Sequence, residues 1–88
     1  MAETAGFEIA EKIRRMSREE FWSIFVKRIC TSSYFGKLAS EGAKGLTVNE
    51  RKKFIKALPR SFGNLTNLSN DDLDVIAKVI RTRSVAVR

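Results

Sequence analysis

The stretch SREEFWSIFVKRIC, residues 17–30, joins a helix start signal to a long apolar segment. Ser17 is followed three positions later by Glu20, a spacing in which the hydroxyl caps the first helical turn and the carboxylate returns a hydrogen bond. At about 100° per residue, the apolar side chains that follow cover more than half of the helix circumference. A helix of this kind is surrounded by others, and we therefore place it at the centre of a helical core.

The same start signal occurs twice more along the chain. Thr47 precedes Glu50 by three positions, and Ser69 precedes Asp72 in the same way. Each pair is followed by apolar residues at helical spacing, and Pro59 ends the segment after Thr47. The sequence therefore predicts an all-α domain, with irregular loops between four helices at about 4–16, 18–38, 48–58 and 70–82.

Two parts of this prediction stay open, although all 88 residues are expected to form one domain. The hydroxyl residues at 31–33 weaken the second helix, so residues 31–39 either continue it, kink it or form a separate turn. Residues 83–88 are expected to be a flexible or extended tail.

Several chemistries are poorly supported by the composition. The chain has no histidine, which is the commonest general base and the commonest zinc ligand. Its single cysteine, Cys30, has no internal disulfide partner. Gly36-Lys37 lacks the upstream glycine and the following Ser or Thr of a phosphate-binding loop. We therefore expect a protein that is not an enzyme, with no catalytic residue, no metal site and no cofactor.

The sequence also bears on the compartment. There is no run of 18 apolar residues of the kind that spans a bilayer, and the first seven residues carry an acid where a signal peptide would carry bases. We expect a protein that is not secreted and has no membrane partner. A cytoplasmic location follows, or a nucleoid or host-cell interior.

Positive charge is concentrated in the middle third of the chain. Of the net charge of +7, residues 31–60 hold +5, from seven Lys or Arg and two Glu, whereas each flanking third holds +1. A local block of one sign produces a directional field, which an even distribution does not.

The densest part of this block is NERKKFIKAL, residues 49–58. On a helix, Lys52, Lys53 and Lys56 share about 100° of arc with Asn49, while Arg51 falls among the apolar side chains. Val48, Phe54, Ile55 and Leu58 make up that apolar side. Lys52 and Lys56 are neighbours of like charge one turn apart, which opposes helix formation by about 0.2–0.5 kcal/mol. No acid follows Glu50 on this helix to relieve it.

An anion from outside would complete such a cluster, and a nucleic-acid backbone, DNA or RNA, is the leading hypothesis. The residues expected to bind it are Lys44, Lys52, Lys53, Lys56, Arg60, Arg81 and Arg83. The contacts are expected to be mostly to phosphates, because the connections around this helix are too long for a helix-turn-helix.

Two alternatives stay open. The lysines either do no more than keep the helix soluble, or they meet an acidic protein surface, as in an interaction module or inhibitor of phage, plasmid or viral type. The broad apolar surface of the second helix also allows a homodimer, which would form through Phe21, Trp22, Phe25 and Ile29.

Overall fold

The structure is a computed structural model that describes residues 5–63 and 68–87; Thr4 and Arg88, which fall in two predicted segments, lie outside this part. Its α-helices are α1 (Ala5–Arg15), α2 (Arg18–Phe21), α3 (Ser33–Glu41), α4 (Val48–Ala57) and α5 (Asn70–Val87). A π-helix over Trp22–Ile29 continues α2, and 3-10 turns occupy Ala43–Gly45 and Arg60–Phe62. No β-strand occurs among the described residues, and the all-α prediction is confirmed.

The helix starts form by local chemistry, as predicted. The Ser17 hydroxyl accepts a hydrogen bond from the backbone N–H of Glu20 at 3.1 Å. At α5 the exchange is reciprocal, because the Asp72 N–H donates to Ser69 Oγ at 3.2 Å and the Ser69 N–H donates to Asp72 Oδ2 at 3.0 Å. These bonds satisfy backbone donors that the first turn of a helix leaves without partners.

The helix predicted over 18–38 is divided in two by a serine. The Ser32 hydroxyl donates to the carbonyl oxygen of Ile29 at 2.5 Å and also accepts from the Phe35 N–H at 3.3 Å. One side chain therefore closes the π-helix and caps α3. Side-chain bonds of this type compete with continuous helix, and here they resolve the question left open for residues 31–39 in favour of a separate helix.

A chain of aromatic rings forms much of the core. The rings of Phe21 and Phe25 are stacked with centroids 5.3 Å apart, and Phe25 stacks on Phe62 at 6.3 Å. The ring centroids of Phe54 on α4 and Phe35 on α3 are 6.5 Å apart. The core therefore connects the π-helix to the turn after α4, and α3 to α4.

The homodimer surface expected on the second helix is not available in this fold. Phe21 and Phe25 are 0% exposed and Ile29 is 1% exposed, because the neighbouring helices of the same chain already cover them. Of the four residues, only Trp22 remains accessible, at 49%. Phe21, Phe25 and Ile29 are therefore core residues of one chain and offer no surface to a second copy in this fold.

The longest helix, α5, packs along α1, and the first turns of the two helices are in direct contact. The Gly6 N–H donates to Asp72 Oδ1 at 3.1 Å. A Cβ atom at Gly6 would lie 2.5 Å from the Cα of Asp72, which is closer than atoms can approach without a shift. Glycine is thus required for this approach of the two helices.

At its other end α5 continues to Val87, beyond the predicted end at 82. The segment expected to be a flexible or extended tail is therefore helical as far as Val87. Contacts made by Arg83 account for this helical extension. Its Nη1 donates to the carbonyl oxygens of Ile13 at 2.6 Å and Met16 at 2.9 Å, and its guanidinium lies 4.6 Å from the centre of the Phe21 ring. These contacts hold the last turns of α5 against the end of α1.

Candidate nucleic-acid interface

The helix that carries the lysines, α4, is fixed at both ends and on one side. Thr47 Oγ1 accepts from the Glu50 N–H at 3.2 Å, and Glu50 Oε1 accepts from the Thr47 N–H at 2.8 Å, so the predicted capping box is complete. The helix ends at Ala57, where Leu58 turns to an extended conformation ahead of proline. Phe54 and Leu58 are buried in the core. The opposite side of α4 is left to solvent.

That open side presents the lysine face, which we define as Lys52, Lys53 and Lys56, and Asn49 lies beside it. All four side chains are exposed. The two ion pairs found in the described part of the chain are Glu11–Arg14 and Lys37–Glu50, and neither involves these lysines. No carboxylate of residues 5–63 or 68–87 therefore lies within 4.0 Å of an ammonium group on this face.

Glu50, the single acid on α4, is engaged away from the lysine face. Besides its bond with Thr47, its Oε1 accepts from Lys37 Nζ of α3 at 3.2 Å. The hydrogen bond from the Thr47 backbone, and next the one from the Lys37 side chain, lowers the pKa of Glu50 below its ordinary value of 4.5. Its negative charge is therefore balanced by Lys37 and does not relieve the lysines.

The remaining cation of the helix, Arg51, belongs to the core side, as the helical periodicity predicts. Its Nη2 donates to the carbonyl oxygen of Leu68 at 2.7 Å, and its Nη1 donates to the side chain of Asn70. Arg51 thus ties α4 to the start of α5, and it is only partly exposed. We separate it from the lysine face on this ground.

The exposure of Val48 differs from the prediction. It was expected to join the apolar side of α4, yet it is 68% exposed. The periodicity is correct for Phe54 and Leu58 in later turns, but the elements that cover those residues do not extend to the first turn. Val48 therefore stands in solvent beside Asn49.

Lys44 and Arg60 lie on the 3-10 turns that precede and follow α4. Both are exposed, and neither takes part in an ion pair with a described residue. Their backbones are held by the turns, since the Gly63 N–H donates to the carbonyl oxygen of Arg60 at 3.1 Å. They extend the unpaired positive charge along the chain on both sides of the lysine face.

Arg81 and Arg83 have other positions. Arg81 is exposed on α5 and its Nη1 approaches the carbonyl oxygen of Ala39 at 3.4 Å. The guanidinium of Arg83 is used in the contact between α5 and α1. The seven cations predicted as a site thus divide into five on α4 and its flanking turns and two on α5.

Near α4, the aromatic side chains that could stack on nucleic-acid bases are buried or half-buried, Tyr34 being the half-buried one. Tyr34 meets the Phe54 ring edge-on, with centroids 6.3 Å apart, and Phe35 and Phe62 are buried. The large exposed aromatics of the described residues are Phe7 and Trp22, on α1 and the π-helix. The lysine face and the adjoining Asn49 therefore offer charge and one amide but no aromatic platform.

Three features missed by sequence reasoning are the Lys37–Glu50 pair, the Arg51 link and the exposure of Val48. The two contacts join residues 13 to 19 positions apart, and no local pattern encodes them.

In the described ranges, no helix is long and apolar enough to cross a bilayer, and no three side chains are grouped to hold a metal ion. No protein-family model, curated protein or solved structure matches this chain.

Proposed function

We propose that the protein binds the phosphate backbone of nucleic acid through the lysine face of α4. Lys52, Lys53 and Lys56 make the main contacts, and Lys44 and Arg60 extend the surface on the flanking turns. Arg83 is left out of the binding set, because its guanidinium is used in the fold. Arg81 remains a peripheral contributor.

The observation that carries the proposal is the absence of negative partners for three exposed lysines, within the described residues, on one face. Repulsion between Lys52 and Lys56, which lie one turn apart, opposes helix formation by about 0.2–0.5 kcal/mol. On α1, by contrast, Glu11 offsets Arg14 at 2.5 Å. On α4 the one available acid is directed to Lys37 instead. A polyanion supplies the missing charge and releases its own counterions on binding.

The experiment is a fluorescence-anisotropy titration of a labelled 20-base-pair duplex DNA with a triple variant, Lys52→Gln, Lys53→Gln and Lys56→Gln. Glutamine keeps helix propensity and solubility, so circular dichroism should show an unchanged fold. If each lysine contacts one phosphate, affinity at 0.1 M salt should fall by on the order of 10²–10³.

The matched control removes the same charge elsewhere, by Arg15→Gln, Arg18→Gln and Lys27→Gln. These three side chains are exposed on α1, α2 and the π-helix. The control variant should bind within a few-fold of the wild type. Equal losses in the two triple variants would mean that net charge alone drives association, and the proposed surface would then be wrong.

A second candidate function is docking on a protein partner, and the exposure of Trp22 favours it. Trp22 is 49% exposed and lies one turn after Arg18, and these two residue types are enriched at the energetic centres of protein interfaces. The titrations separate the two functions. No affinity for duplex or single-stranded nucleic acid at low salt favours the protein partner.

A further inference from the structure

The first turn of α4 exposes two side chains that a purely electrostatic surface does not need. Val48 is 68% exposed, the highest value among the large hydrophobic residues of the described chain. Asn49 is exposed beside it, and its side chain makes no hydrogen bond to a described residue. An apolar group and a free amide thus lie on the same side of the helix as the lysines.

We infer that α4 reads base edges in the major groove of duplex DNA, with Asn49 on an adenine and Val48 against a thymine methyl group. The inference rests on the proposed phosphate binding by the lysine face and adds a preference for A·T base pairs. An Asn side chain can bond adenine N6 and N7 together, and apolar side chains contact the thymine C5-methyl.

The dimensions of α4 suit this placement. Val48, Lys52 and Lys56 follow one another at intervals of four residues, so Lys56 lies about 12 Å along the helix axis from Val48. The B-DNA major groove is about 8.5 Å deep. With its first turn at the base edges, the helix therefore carries its later lysines to the phosphate rim. Helices that read DNA commonly contact bases with their N-terminal residues.

The acids nearest in sequence do not obstruct this approach. Glu50 is about 100° around the helix from Asn49 and about 160° from Val48, and it is bonded to Thr47 and Lys37. The exposed acid Glu41 lies at the end of α3 with its side chain near Gly45. Around the helix, the arc of about 140° from Val48 past the lysines to Lys53 contains no negative residue, and Glu50 lies about 60° beyond Lys53.

Duplex DNA fits this face better than the other nucleic acids. The major groove of A-form RNA is too deep and narrow for side chains to read. Single strands are held largely by stacking on aromatic side chains, but Phe35 and Phe62 are buried and the half-buried Tyr34 packs edge-on against Phe54.

The test uses selection from a duplex DNA pool with 12 random base pairs, followed by affinities for the selected sequence. For the wild type we expect an A·T preference, with a loss of about five- to one-hundredfold when the key pair is changed to G·C. Asn49→Ala should lose that discrimination while it keeps phosphate-driven binding. Replacing thymine by deoxyuridine removes the methyl group, and should weaken binding of the wild type but not of Val48→Ala.

Both residues are exposed, so neither variant should alter the fold, which circular dichroism checks. Salt-sensitive binding of the wild type with no base preference would overturn the inference and leave the phosphate proposal standing. Equal or tighter binding to duplex RNA would also overturn it. No binding to any nucleic acid would overturn both proposals.

Discussion

Arg83 shows how much of this fold depends on a single side chain. Its guanidinium joins two carbonyl oxygens at the end of α1, at 2.6 and 2.9 Å, and lies over the ring of Phe21. The last turn of a helix leaves its carbonyl acceptors without full partners, and here the Ile13 carbonyl has one long backbone bond, from the Met16 N–H at 3.3 Å. One cation therefore caps α1, covers a core ring and holds the end of α5.

We predict that Arg83→Gln lowers the free energy of unfolding by about 1–3 kcal/mol, because it removes charge-assisted hydrogen bonds to partly buried acceptors. Arg81→Gln is the matched control, since Arg81 is exposed and makes one long contact at 3.4 Å; it should change stability by less than about 0.5 kcal/mol. Urea unfolding of both variants measures the difference. Equal effects would show that the loss of charge, and not the contact, matters.

Among the helices, the most extensive contact is that of α1 with α5, and its first turn depends on a glycine. Gly6→Ala places a Cβ within 2.5 Å of Asp72 Cα, so the helices must separate. We predict a loss of about 1–3 kcal/mol in the free energy of unfolding.

Gly36→Ala supplies the control with the opposite sign. Gly36 is exposed within α3 and a Cβ there meets no atom within 4 Å. Alanine should therefore stabilise the helix by about 0.5–1 kcal/mol. Thermal unfolding of the two variants should show Tm values that move in opposite directions. A rise for both would mean that the α1–α5 approach is not tight.

The α4 helix combines a stability cost with its proposed role, and the two can be separated. Lys52→Glu replaces a like-charge pair by an acid one turn before Lys56, the favourable order. We predict a gain of about 0.4–1 kcal/mol in the free energy of unfolding, together with weaker DNA binding. Lys52→Gln should raise the free energy of unfolding by about half as much, because it removes the repulsion without adding an attraction. Chemical denaturation and the anisotropy titration measure the two effects, and a variant that is both more stable and equally tight would argue against unpaired lysines serving a ligand.

At the scale of the whole molecule, local signals predicted the helix starts and long-range contacts decided the rest. Ser17 and Thr47 act within three residues of their partners, so the sequence alone locates those starts. Arg83 meets Ile13 across 70 positions, and no local pattern distinguishes it from a free cation. Arg83 was for this reason expected to be a binding residue, although its guanidinium belongs to the fold.

Exposure was the second quantity that periodicity did not determine. The repeat on α4 correctly separates Phe54 from Lys53, because both lie where neighbouring elements cover one side of the helix. It assigns Val48 to the core, although no element covers the first turn. Between Phe21 and Ile29 the difference has the opposite sign, because Phe21, Phe25 and Ile29 are covered by their own chain, although Trp22 stays 49% exposed.

The salt dependence of duplex DNA binding tests the central proposal most directly. Each phosphate contact contributes about −0.9 to the slope of log K against log salt concentration, so Lys44, Lys52, Lys53, Lys56 and Arg60 together predict roughly −4.5. The triple Lys→Gln variant of α4 should reduce the slope to roughly −1.8, and the Arg15, Arg18 and Lys27 control should not change it. An identical slope for wild type and triple variant would contradict phosphate binding by the lysine face.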